Sequence, residues 1–359
     1  MQYSKLSEVS KKNLETYLTS VEYRRWYWQD FFTPRINPNL RYDTLIGSKG
    51  APVAADVVAI DSSAPLKRRQ AIKKLTGDIP PVKIARELTE ADLYKYRELK
   101  NMATPDQQQI IELVFGDVDY CFNGCMARME WFALRALSYG KFTLSKSNNA
   151  GIITEDTIDY NMASANKEVA SVAWSASASS TKPITDIIGI QEEANAAGVT
   201  LKYMLMTPTT WSYFAASTET QNYTLGTLYG GAKIKLSPTL DDANRMLRDR
   251  DLPQIIIVNT SITTEVSGTQ TSSNPWRTGH VLLIPDLNVG RMEMGPIATE
   301  EFPPEQITSA KRDGVFVYKY HDVDPVREVT VGEITAFPSW ESIDQCWNLD
   351  TLSTTDWDA

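Results

Sequence analysis

One helical signal, running from Thr104 to Gly140, outlasts every other in the chain and constrains what the rest can fold around. Thr104, Pro105 and Gln107 supply an N-cap, a proline at the first helical position and a capping-box partner. Gly140 follows Ser138 and Tyr139 as a C′ glycine does. Between these ends Ile111, Val114, Val118, Cys121, Cys125, Met129, Phe132 and Ala136 recur three or four apart and form one apolar stripe. The spacing predicts a spine helix over about 104–139, roughly 50 Å long. A helix of that length is a coiled coil, a membrane span or a spine crossing a molecule, and this stripe is too polar for lipid. Gly116 and Gly124 interrupt it, each costing about 1 kcal/mol relative to alanine. They are candidates for bending points or for close packing.

Ahead of the spine, Tyr23, Trp26, Tyr27, Trp28, Phe31 and Phe32 crowd together before the turn-forming TPRINPN. So aromatic a segment buries itself, either in the chain's own core or on a neighbouring subunit. PVAADVVAI at 52–60 and VKIAREL at 82–88 read as strands, separated by a long, turn-rich, basic stretch. The expectation is a projecting β-hairpin that wants a partner, since an isolated two-stranded ribbon is marginal in water. Lys67, Arg68, Arg69, Lys73 and Lys74 make its tip positive, which suits docking on an acidic neighbour as well as plain solvation.

Behind the spine, KFTL at 141–144 and ITEDTIDYNM at 153–162 read as a hairpin. From 184 helices and strands alternate: ITDIIGIQEEANAA, LKYMLMT, PTTWSYFAAS, KIKL, LDDANRMLRD, QIIIVN and HVLLIP, the pattern of a compact α/β lobe. From about 300 GVFVYKYHDV and REVTVGEITAFPSW are strand-like again. The class expected is α+β, with the lobe inserted into a strand-and-spine domain.

Chemistry is hard to find. Two histidines, His280 and His321, stand apart from any HExxH, HxH or HxD pattern, which argues against a metal site. Cys121 and Cys125 lie on the apolar stripe as small hydrophobes, and Cys346 lacks basic neighbours. In GTLYGGAKIK, Lys233 is followed by Ile234 where a phosphate-binding loop needs a hydroxyl. No catalytic, cofactor or metal residue is expected, and an enzyme reading rests on a dispersed site. A net charge of −9 opposes tight nucleic-acid wrapping and limits any such contact to local patches. Three cysteines read as reduced thiols, and neither a signal segment nor a run of about 18 apolar residues occurs, so a soluble protein with no membrane contact is expected.

APLKRR, KLTGDIPPVKIARELTEADL, LKYMLMTPTTW, HVLLIP with the following VGR, and DPVRE at 324–328 are similar to the lambda-type major capsid protein E family of tailed bacteriophages. The resemblance spans nearly the whole chain and implies the Hong Kong 97 capsid fold. It implies an N-terminal arm over 1–50, an extended β-hairpin loop over 51–92, and a peripheral domain over 93–185 containing the spine. An axial domain over 186–300, a return to the peripheral domain over 301–345 and a C-terminal tail over 346–359 complete it. By the same resemblance, copies form hexamers and pentamers of an icosahedral phage head assembled in the host cytoplasm around double-stranded DNA, which they touch weakly. Portal, scaffold and decoration proteins are the implied partners. Lys67, Arg68, Arg69, Lys73, Lys74, Trp26 and Trp28 are then candidates for contacts between subunits. An encapsulin-like nanocompartment shell of the same fold is the alternative.

Overall fold

The computed structural model describes residues 3–46, 73–102, 107–149, 151, 155–229, 237–266 and 268–357. The chain divides into two compact units, one of Met1–Asp43, Thr76–Phe132 and Arg291–Ser339, the other of Thr44–Leu75, Ala133–Gly290 and Trp340–Ala359. In chain order the elements begin with α1 (Lys11–Ser20), α2 (Trp28–Phe31), β1 (Phe32–Ile36), β2 (Arg41–Ile46), β3 (Lys73–Asp78), β4 (Pro81–Leu88), α3 (Glu90–Lys100) and α4 (Gln107–Tyr139). Next come β5 (Lys141–Leu144), β6 (Asp156–Asp159), β7 (Lys167–Val169), α5 (Pro183–Ala196), β8 (Tyr203–Met206), α6 (Pro208–Ala216), α7 (Thr218–Tyr229) and α8 (Leu240–Arg248). The remainder are β9 (Gln254–Ile257), β10 (Ile262–Val266), β11 (Thr269–Ser273), β12 (His280–Ile284), β13 (Gly290–Met294), α9 (Ala298–Glu301), β14 (Thr308–Arg312), β15 (Val315–Val323), β16 (Val326–Trp340) and β17 (Trp347–Asp350).

The first unit is organised by β16. Its sheet runs β1-β13-β16-β15-β14, and β4 also pairs with β16. β15 and β16 form an antiparallel hairpin from Phe316↔Glu333 to Val323↔Val326, and β4 adds Leu88↔Glu328 through Pro81↔Thr335. Residues 82–88 thus pair with β16, while the partner strand expected at 52–60 lies outside the described residues. Alternation of Val82 and Ile84 with Pro81, Lys83 and Ala85 satisfies a place in the larger sheet, and periodicity does not name the partner. The strands flanking the basic stretch that do pair are β2 and β3.

Helix α4 is one uninterrupted helix of 33 residues. Its expected cap at Thr104 and Pro105 lies outside the described residues, and Gly140 takes the positive φ of 75° that a C′ position requires. Val114, Val118, Cys121, Cys125, Met129, Phe132 and Ala136 are all buried, but the stripe starts at Ile110, and Ile111 is exposed. Gly332, in the middle of β16, lets α4 approach the sheet. A Cβ there would stand 2.8 Å from the Cys121 carbonyl oxygen and 3.1 Å from Cys121 Cβ. One turn on, a Cβ on Gly124 would meet Ile84 Cδ1 of β4 at 2.6 Å, so Gly124 serves close packing. Gly116 has nothing within 4 Å of its would-be Cβ.

The second unit centres on a sheet ordered β7-β17-β12-β8-β9, mixed parallel and antiparallel. β12, in which the apolar run VLLI follows His280, is buried at every position, as a strand covered on both faces should be. Helices start where the sequence places their signals. Thr207 caps α6 ahead of Pro208, Thr239 and Asp242 form a capping box on α8, and Pro183 opens α5. Trp174, Ile187, Met206, Phe214, Met246 and Leu283 fill the core. The expected alternation holds among the described residues except at KIKL, which lies outside them. Helix α7 and the hairpin of β10 with β11 were not expected; both are polar and lack an apolar stripe. The borders at 186, 300 and 346 also differ from those of the units. Residues 133–185 belong with the lobe, and the presumed tail supplies β17, paired to both β12 and β7.

Gly332→Ala should therefore lower unfolding stability by about 1–3 kcal/mol, because the clash falls on helix backbone that cannot swing aside. Gly116→Ala should raise it by up to about 1 kcal/mol, since the methyl meets open space in a helix interior. Denaturant unfolding of the two variants measures both.

Candidate assembly surfaces

The N-terminal aromatics bury themselves on their own unit. Leu14 and Leu18 of α1 are fully buried and the helix packs on β14. At its C-terminal end Arg312 Nη1 donates to the carbonyls of Leu18 and Val21, the latter at 2.7 Å, supplying donors where a helix leaves carbonyls unpaired. Asp119 of α4 accepts the phenol hydroxyls of Tyr17 and Tyr23, one per carboxylate oxygen, each at 2.6 Å. Burial and that carboxylate push both phenols well above their ordinary pKa. Lys5 N–H donates to Glu328 Oε1 at 2.7 Å.

Glu130 of α4 anchors the aromatic block. Its carboxylate accepts the backbone N–H of Trp28 at 2.8 Å and of Tyr27 at 3.2 Å, where α2 begins. Burial raises its pKa to about 7, against the opposing pull of those two N–H groups and of Arg24. Trp26 and Trp28 are only 5% and 1% exposed. Both side chains lie in the core of the first unit, one of the two places open to the aromatic segment. About a hundred residues along the chain, Glu130 holds the backbone at Tyr27 and Trp28, and Asp119 holds the hydroxyls of Tyr17 and Tyr23.

Of the basic residues, Lys67, Arg68 and Arg69 lie outside the described residues. Lys73 and Lys74 begin β3, paired with β2. The three cysteines and His280 are buried. Burial pushes the thiols of Cys121 and Cys346 up to about 12 and that of Cys125 higher still. His280 bonds Asn348 Oδ1 at 3.1 Å, and burial holds its imidazole below the ordinary pKa; His321 bonds Glu328 Oε1 at 3.1 Å. Among the described residues no cluster of histidine, cysteine and carboxylate suits a metal, and no helix is long and apolar enough to cross a membrane.

What the surface does offer is apolar. Ile36, 87% exposed, and Leu40 flank the turn between β1 and β2; Phe302, 80% exposed, follows α9; Val323 and Val326 form the tip of the β15–β16 hairpin. Sequence reasoning missed them all. No periodicity separates an apolar residue at a loop or hairpin tip from one that folds inward. Around the Val323–Val326 tip, Arg327 joins Glu87 at 2.6 Å and Asp322 at 3.2 Å, a charged collar under an apolar knob.

A mixed sheet lobe and a β16-centred sheet with a long helix seated on it are the architecture of a protein of the tailed-phage capsid fold. The model of the family described as phage major capsid protein E matches residues 12–351, and the chain belongs to that family. It is therefore a structural subunit of a phage head and not an enzyme. Among solved structures, the candidate capsid protein of a prophage of E. coli CFT073 is 16% identical, with a TM-score of 0.58 over 95% of this chain and 99% of that one. A phage-related protein of Bordetella bronchiseptica RB50 is 12% identical, with a TM-score of 0.55 over 96% and 98%. At these identities the likeness speaks for the fold alone. An encapsulin complex of Synechococcus elongatus PCC 7942, 11% identical over 95% or more of both chains, reaches a TM-score of 0.41 and carries no argument. No curated protein matches the chain.

The Glu130 carboxyl binds its proton more tightly folded than unfolded, its pKa standing at about 7 against 4.5. The folded state therefore gains stability from it as pH falls from about 7 towards 4.5, and loses that gain as pH rises again. Glu130→Gln should flatten this component. Unfolding free energies of both proteins across that window would show it, and parallel curves would refute it.

Proposed function

We propose that copies of this chain associate into hexamers and pentamers that close an icosahedral head around double-stranded DNA. The observation that carries this reading is the exposure of large apolar side chains at Ile36, Leu40, Phe302 and the β15–β16 tip of a family member. Apolar groups set in polar rims are what a protein–protein contact uses. Closed symmetry lets every copy bury the same set of them.

In this reading the lobe within 186–300 lies at the capsomer centre, and the basic stretch carrying Lys67, Arg68, Arg69, Lys73 and Lys74 docks on an acidic neighbour. The net charge of −9 supplies acidic surface for it and keeps contact with DNA weak and local. Portal and scaffold proteins, and in some heads decoration proteins, are the further partners, with assembly in the host cytoplasm. Gly116 is the candidate for any flexing of α4, because nothing packs on it. A nanocompartment shell has no observation of its own in its favour.

Purified protein examined by light scattering and electron microscopy should give closed shells, or rings of five and six. Reversal of Lys67, Arg68 and Arg69 to glutamate should leave the subunit folded by circular dichroism while abolishing shell closure. Normal shells from that variant would remove the docking role of the basic stretch.

A further inference from the structure

The seat of α4 on its sheet changes character within one turn. At Cys121 it is dry and tight against Gly332. One turn earlier it is polar. Lys319 and Thr330 face each other across β15 and β16, and His321 with Glu328 is the next pair on the same face. That is the face Gly332 presents to Cys121, and Asp117 precedes Cys121 by four residues on α4, so its side chain stands over the same two pairs. All of Lys319, Glu328, Thr330 and Asp117 are buried.

Each of these four side chains has an atom without a hydrogen-bond partner among the described residues: Lys319 Nζ, Glu328 Oε2, Thr330 Oγ1 and Asp117 Oδ2. The remaining oxygens of the two carboxylates are occupied. Arg86 of β4 approaches Asp117 Oδ1 at 3.3 Å, while Glu328 Oε1 takes both Lys5 N–H and His321. Burial lowers the Lys319 pKa and raises that of Asp117, against the opposing pull that each exerts on the other. A single orphaned polar atom costs about 1–3 kcal/mol, so four gathered on one face call for a ligand.

Its chemistry follows from the four atoms. A cation meets Lys319, and an anion meets Asp117 and Glu328. A small neutral molecule that both donates and accepts suits all four, and water does so with two to four bonds. We propose that the α4 face of β15 and β16 holds an internal hydration site, in which water joins Lys319 Nζ to Asp117 Oδ2, Glu328 Oε2 and the Thr330 hydroxyl. Helix α4 is then seated by direct packing at Cys121 and, one turn earlier at Asp117, through water.

Thr330→Val tests this by the sign of its effect, because valine keeps the shape and the strand preference and removes only the hydroxyl. If water bonds that hydroxyl, the variant melts several degrees lower than the parent chain. If the hydroxyl is an orphan in a dry seam, valine raises the melting temperature and the proposal falls. A density map of the whole chain that resolves ordered water gives the second readout. Peaks within hydrogen-bond distance of both Lys319 Nζ and Asp117 Oδ2 are expected, and Nζ bonded directly to either carboxylate without such peaks would overturn the site. Neither readout depends on shell closure, so its failure is distinct from failure of the assembly reading.

Discussion

Everything in the first unit depends on the absence of one side chain. β16 pairs with β4, β13 and β15, and α4 lies across it at Gly332, where the Cys121 backbone occupies the room a Cβ would need. With the helix held at that height, Gly124 meets Ile84, Val114 and Val118 are excluded from water, and Asp119 and Glu130 come within reach of the N-terminal segment. The hydrophobic effect drives the helix onto the sheet but sets no distance. Gly332 sets it, because close-packed interiors transmit a small displacement rather than absorb it.

The N-terminal segment shows how polar groups organise a largely apolar docking. Trp26, Trp28, Phe31 and Phe32 supply the buried area. Asp119, Glu130, Glu328 and Arg312 supply direction, each bonding a hydroxyl or a backbone group at a defined point along the segment. The arrangement leaves most apolar side chains of the segment inside the unit, and leaves the contact surface to residues beyond it, Ile36 and Leu40 first among them.

Local grammar was legible in the sequence and distant pairing was not. Helix α4, its C′ glycine, the caps of α6 and α8 and the buried strand β12 follow from spacing and turn chemistry within a few residues. The partner of residues 82–88 did not, since a strand's alternation is the same whichever strand lies beside it. Ile110 and Ile111 illustrate the finer limit, because adjacent isoleucines both fit a stripe and only the sheet beneath selects one. Of the candidate site, Trp26 and Trp28 were rightly singled out as aromatics needing burial, yet the carboxylates that turn them inward lie a hundred positions on. Lys319 gave no signal at all. A lysine in YKY within a strand reads as solvent-facing until the helix above it is known.

Strand order in the lobe has a consequence for how the chain is made. β17, near the end of the sequence, lies between β7 and β12, so the sheet stays open in its middle until Asp350 has been synthesised. On the ribosome, Val281, Leu283 and the rest of β12 wait with one edge unpaired while nearly seventy further residues emerge. The lobe's sheet therefore closes only after the strands of the first unit between β12 and β17 have been made, and a nascent chain short of Asp350 lacks the finished sheet.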